Sequence, residues 1–183
     1  MTLEEMKNKI YSMIEEYNES AENLTDDLDL ATKMNGVINQ VQNELSRFKK
    51  IDEYTELEVE EGQAIDLTDI DADIYQLNVI KDVSYEPIGK KIIFNESGTA
   101  KIYYYRYPTQ IDSETEDDYV FELDRDALEI LPYGVAGDLL KSDVSSQYGT
   151  IYSNRYKELI NSLDPRSSMP TMSFEGGFEL WQQ

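Results

Sequence analysis

Neither cysteine nor histidine occurs anywhere in the 183 residues. Those two absences remove disulfides, thiolate nucleophiles, imidazole bases and the usual zinc ligands together. Ser-His-Asp and Cys-His hydrolases are thereby excluded. Basic residues are scarce as well: sixteen Lys and Arg stand against thirty-eight Asp and Glu, a net charge of −22. So negative a field repels phosphates and anionic membrane surfaces, so direct gripping of DNA is not expected. No window approaches the ~18 uninterrupted apolar residues of a membrane-spanning helix. The opening MTLEEMKNKI is acidic and helical in pattern, without the basic stretch and apolar run of a secretory signal. A soluble, intracellularly made protein with no membrane partner is expected.

What is present argues for a packed domain. Hydrophobic residues make up 40% and aromatic residues 11%, with fourteen Tyr. That is more apolar material than acidic disordered chains carry. A chain of this length can bury roughly 70% of its unfolded surface without a staple.

Along the chain, Thr2-Leu3-Glu4-Glu5 fits a capping box, and Leu3, Met6, Ile10, Met13, Ile14 and Tyr17 recur at helical spacing, predicting a helix over about 3–18. Thr25 can cap a second, over about 26–50, with Asp26, Asp27 and Asp29 in its first turn and Arg47, Lys49 and Lys50 in its last. From Thr55 the period becomes two: Leu57 and Val59 alternate with Glu56, Glu58 and Glu60. Strands are expected there and at 64–67, 74–83, 91–94 and 99–107. The Asn95-Glu96-Ser97-Gly98 turn suggests that the last two form a hairpin. A third helix over about 124–140 contains Pro132, which is expected to kink or split it. A fourth, over about 145–163 and capped by Ser145 or Ser146, stops at Asp164-Pro165. The expected architecture is α+β and mainly helical: a four-helix bundle-like core over 1–163, a small antiparallel β insertion at about 55–107, and an extended C-terminal arm, 164–183.

Candidate chemistry is thin. With thirty-eight acidic residues, a carboxylate pair at any given spacing arises by chance and names no catalytic residue. Asp69-Ile70-Asp71-Ala72-Asp73 opens like a calcium loop, but the sixth place is Ile74 rather than Gly and the twelfth is Ile80 rather than Glu. Gly176-Gly177 lacks the following Lys-Ser/Thr of a phosphate loop. No enzyme activity, cofactor or metal is expected. Tyr103-Tyr104-Tyr105-Arg106-Tyr107 reads as strand packing, because neighbouring tyrosines on a strand point to opposite faces.

Charge segregation says more. Residues 51–80 hold ten acidic side chains and no basic one, and 107–124 hold seven and none. Asp66, Asp69, Asp71 and Asp73, with Glu114, Glu116, Asp117 and Asp118, are the candidate acidic face. It serves either solubility or a surface that stays near DNA, or imitates it, without sticking to it. Arg166 to Gln183 has little periodicity, yet holds Met172, Phe174, Phe178, Leu180 and the single Trp, Trp181. Apolar residues beyond the last helix stop suggest a docking arm.

The order Ile102-Tyr103-Tyr104-Tyr105-Arg106-Tyr107-Pro108, then Ile111, Thr115 and Asp118, then Phe121-Glu122-Leu123, resembles the head-to-tail adaptor (connector) proteins of tailed bacteriophages. Residues 127–140, Tyr152-Ser153-Asn154-Arg155-Tyr156 and 31–50 continue the resemblance, which touches about two-thirds of the chain. It implies a helical bundle with a β insertion, made in the host cytoplasm and assembled in the virion neck as a ring, typically of twelve copies. Such a ring joins the portal protein to downstream tail components, and its acidic lining lets DNA pass without specific binding. It also implies that the C-terminal segment reaches the portal. The competing reading is an acidic DNA mimic or regulatory inhibitor that occupies a basic protein groove.

Overall fold

The computed structural model describes residues 1–15, 28–142 and 147–163. Their elements are α1 (Leu3–Glu15), α2 (Leu28–Phe48), β1 (Ile51–Val59), β2 (Ala64–Asp66), α3 (Leu67–Ile70), β3 (Ile74–Lys81), β4 (Tyr85–Ile88), β5 (Lys91–Phe94), β6 (Gly98–Arg106), α4 (Arg125–Leu139) and α5 (Tyr148–Ser162), with a 3₁₀ turn over Leu140–Ser142. The expected caps at Thr25, Ser145 and Ser146, and the arm residues Met172, Phe174, Phe178, Leu180 and Trp181, lie outside the described residues.

The helical part follows from its apolar stripes. The Thr2 backbone N–H donates to Glu5 Oε2 at 2.9 Å and the Glu5 N–H to Thr2 Oγ1 at 3.2 Å, so the capping box forms. The Leu3 and Glu4 N–H groups then find the carbonyls of Tyr119 and Asp117. Leu3, Met6, Ile10 and Ile14 of α1 and Met34, Ile38, Val41 and Leu45 of α2 are buried with Leu128, Leu131 and Val135 of α4. Helix α4 runs through Pro132 without being split, contrary to one of the two expected outcomes. Two glycines bring its neighbours close. A Cβ on Gly134 would stand 2.9 Å from both Val41 Cγ1 and Tyr156 Cε2, and one on Gly137 would stand 2.7 Å from Ser153 Oγ.

The β region corrects the expected architecture. It is no small insertion on a helical bundle: six strands form two antiparallel three-stranded sheets, ordered β1-β6-β3 and β2-β5-β4, and the protein is a sheet-rich α+β fold. The physical reason lies in the strands' own period. Val59, Ala100, Ile102, Tyr104 and Ile80 give the first sheet one apolar face, and a face of that kind needs a second layer. Ile92 and Phe94 of β5 supply it, so the two sheets share a core separate from that of the helices.

The expected hairpin of 91–94 with 99–107 is also overturned. Strand β5 pairs with β2 and β4, whereas β6 pairs with β1 and β3. The 95–97 turn thus carries the chain from one sheet to the other. The tight hairpin is β4–β5, closed by Gly89-Lys90, where Gly89 has φ +64°. Glycine in the left-handed region at the first of two loop residues suits the twist of the flanking strands.

Candidate partner-binding surfaces

The acidic residues fall into two separate places. Around α3, Asp66 caps the short helix: its Oδ1 accepts from the Thr68 N–H at 3.1 Å and Thr68 Oγ1 at 2.8 Å. Those donors hold its carboxyl below the usual carboxylate range. Asp71 Oδ1 accepts from the Asp73 N–H at 2.9 Å, and Asp71 Oδ2 stands 3.5 Å from the Tyr104 hydroxyl. Asp69 is exposed. The Ile74 N–H donates to the Asp71 carbonyl at 3.3 Å, so this segment's hydrogen bonds are largely local.

The second place is the 112–118 loop, strapped to α2. Asn39 Nδ2 donates to the Ile111 carbonyl and Asn39 Oδ1 accepts from the Ile111 N–H, both at 2.8 Å. Asn35 Nδ2 donates to the Asp112 carbonyl at 3.0 Å, and the buried Gln42 amide donates to the Thr109 carbonyl at 3.0 Å. Asp112 is held low by the backbone N–H of Glu114. Glu114, Glu116, Asp117 and Asp118 are all exposed, and Asp117 pairs with Lys7 at 3.1 Å. A surface cavity of about 570 Å³ lies between this loop and the helices. The strapping amides were missed in the sequence, although Asn35, Asn39 and Gln42 recur at i, i+4, i+7 beside the apolar stripe.

Between helices and sheets lies a joint of tyrosines and cations. Arg106 Nη2 donates to Glu122 Oε1 at 2.6 Å and Nη1 to Oε2 at 3.2 Å. Burial pushes the Glu122 carboxyl up, but Arg106 and the Thr109 N–H outweigh it, leaving Glu122 below its ordinary value. Arg47 Nη2 donates to the Tyr107 hydroxyl at 2.8 Å, and Lys50 Nζ lies 4.2 Å from the Tyr105 ring centroid. Tyr75, whose hydroxyl donates to the Ser46 carbonyl, is pushed up to about 12 by burial.

The 103–107 run behaves as strand packing. Tyr104 enters the inter-sheet core, while Tyr103 lies on the opposite face, stacked on the exposed Tyr54 with centroids 5.6 Å apart. Lys81 Nζ sits 4.7 Å from the Tyr103 ring centroid. Glu56 and Glu58 occupy the same outer face of β1 as Tyr54, and Glu58 accepts from Thr99 Oγ1 at 2.6 Å.

On the inner side of β1, a groove of about 460 Å³ is lined by Thr55, Leu57, Gln63, Ala64, Ile65, Asp69 and Ile70. It brings β1, β2 and α3 together at the open side of the two sheets. Leu57, Ile65 and Ile70 give it half-buried aliphatic surface, and Asp69 is the one acidic residue that lines it. No protein-family model matches the chain, and no curated protein matches it either.

Proposed function

We propose that this chain is a binding protein without chemistry of its own, an assembly adaptor that joins the portal-bearing head of a tailed phage to its tail components. The observation that carries this reading is where the unburied charge stands. Glu56 and Glu58 of β1 lie on the outer face of their sheet, and Glu114, Glu116, Asp117 and Asp118 are exposed on a loop that Asn39 straps to α2. Surfaces of that kind recognise other macromolecules and leave phosphates unpaired, which suits a channel through which DNA slides. The sequence resemblance over 102–156 supplies the partner, a portal ring, and the ring of this chain's own copies beneath it.

The fold differs from the helical bundle that the resemblance implies, so the reading rests on those residues and on the charge, not on shared architecture. Light scattering tests it, using the purified chain, full length and truncated after Asp164, mixed with portal rings from the same genome. Saturable loading of one copy per portal subunit, weakened by truncation and kept at high salt, is the expected result. Absence of association at both low and high salt overturns the reading. Binding to a basic enzyme that vanishes with salt would favour the DNA-mimic inhibitor instead.

A further inference from the structure

The outer face of the β1-β6-β3 sheet changes character along its length. At the end beside the helices Tyr105 is buried, with Tyr75 stacked on it and Lys50 Nζ 4.2 Å from its ring centroid. One pleat further along β6 that cover ends. Tyr103 is half-buried, and Tyr54, directly across from it on β1, is 55% exposed. Tyr103 stacks against one side of the Tyr54 ring, at 5.6 Å and an interplanar angle of 22°, and the rest of that ring faces solvent. Tyrosine is enriched where proteins meet, because its rigid ring supplies contact area at little cost in side-chain entropy.

The charges around the pair decide what such a ring would receive. In register, Glu56 lies opposite Lys101 and Glu58 opposite Thr99 on β6, and Lys81 of β3 faces Lys101 from the other side. Both lysines are already engaged. Lys101 Nζ pairs with Asp82 at 2.9 Å, and Lys81 Nζ sits 4.7 Å from the Tyr103 ring centroid. Glu58 accepts from Thr99 Oγ1. Glu56 is exposed on the same side of β1 as Tyr54 and forms no ion pair among the described residues. The patch therefore offers an incoming group an aromatic ring beside carboxylates, which is complementary to a cation and repels phosphate.

Guanidinium fits this pairing better than ammonium. It is flat and weakly hydrated, so it can lie on a tyrosine ring while its N–H edge donates to a carboxylate. Side chains two apart on a strand stand about 7 Å from one another, a span that one stacked guanidinium bridges. The contact of Lys81 with Tyr103 shows that this face already holds a cation over a ring.

We propose that the outer face of the β1-β6-β3 sheet docks an arginine-bearing segment of a protein partner, with the guanidinium stacked on Tyr54 and its N–H groups donated to Glu56. Glu58, one pleat further on, adds to the field that draws the cation in. The inference does not depend on the portal reading, because it is tested on the isolated chain.

The test uses the full chain and two synthetic peptides, Thr-Arg-Thr-Arg-Thr and Thr-Lys-Thr-Lys-Thr, blocked at both ends and equal in charge. Binding is followed by NMR at about 0.15 M salt, where general attraction to the acidic surface is damped. The arginine peptide should bind about threefold more tightly than the lysine peptide, the scale of one exposed cation–π contact, and should shift the signals of Tyr54, Glu56 and Tyr103 most. Tyr54→Ala should erase the difference between the peptides, and Tyr54→Phe should keep it. Glu56→Gln should weaken binding of the arginine peptide. Equal affinity of the two peptides for the unaltered chain overturns the proposal. So do shifts concentrated at the 112–118 loop, which would mean attraction by charge alone. The comparison on the unaltered chain decides even if Tyr54→Ala disturbs the sheet.

Discussion

The helical core and the paired sheets solve the same burial problem with different means. Among the described residues, twenty-one are buried in the helical core, drawn from α1, α2, α4, α5, the loop before α4, the 3₁₀ turn at Leu140 and Leu163 just after α5. Eight are buried between the sheets. The helices achieve depth by close approach at Gly134 and Gly137, whereas the sheets remain shallow and open at the groove beside β1. Depth gives stability, and shallowness leaves surface for partners. The joint at Arg106, Glu122, Tyr75 and Tyr107 decides whether the two parts melt together.

The largest expected effect comes from breaking the thinner part. Phe94 is fully buried in the smaller core, so Phe94→Ala should cost about 3–5 kcal/mol. Urea titrations followed by near-ultraviolet and far-ultraviolet dichroism measure it. Coincident transitions would show that the sheets unfold with the helices, and a separate early transition would show that they do not.

Next comes the joint. Arg106→Gln should cost about 2 kcal/mol, below the range for a fully buried ion pair because Glu122 is 26% exposed. Its signature is separation of the two transitions rather than a uniform shift. The same pair sets a pH dependence. Glu122 has a folded value below its unfolded one, so its contribution is present above the ordinary glutamate range and is lost as pH falls through the depressed value. Glu122→Gln should flatten the acid side of the urea midpoint against pH, and an unchanged profile would remove Glu122 from the account.

Within the helices, Gly137→Ala should cost about 1–3 kcal/mol, because the added methyl meets the backbone of Ser153 as well as its hydroxyl. A neutral result in thermal melting would mean that α5 yields easily. The smallest effect is Thr2→Ala, about 1 kcal/mol from the lost cap, which should appear in the helical signal and leave the sheet transition in place.

The contrast also explains what could be read from the sequence. Helix α1 was legible because its apolar spacing and its cap are local, and α2 because Met34, Ile38, Val41 and Leu45 recur along it at helical spacing. The strands around Leu57 and Ile102 were legible as strands, yet their partners were not. Pairing across forty residues leaves no local mark, and the turn residues 95–98 are as good for switching sheets as for closing a hairpin. Strand β4 was missed because Pro87 and Glu86 interrupt any β pattern, which an edge strand tolerates. Of the candidate site, the acidic excess was plain, but its division between α3 and the 112–118 loop depends on the straps from Asn35 and Asn39. Asp66 and Asp71 also turned out to be occupied with local turns, a role that charge counting does not distinguish from an open surface.

Ile51 and Arg106 stand directly opposite one another as the first and last residues of the sheet region. The chain thus leaves α2 and returns toward α4 through two neighbouring strand ends. A stretch whose ends meet can be lengthened, exchanged or lost in a lineage without rerouting what lies on either side. The 51–106 region thus joins the rest of the chain at a single place, where the joint of Arg106, Glu122 and Tyr75 also sits.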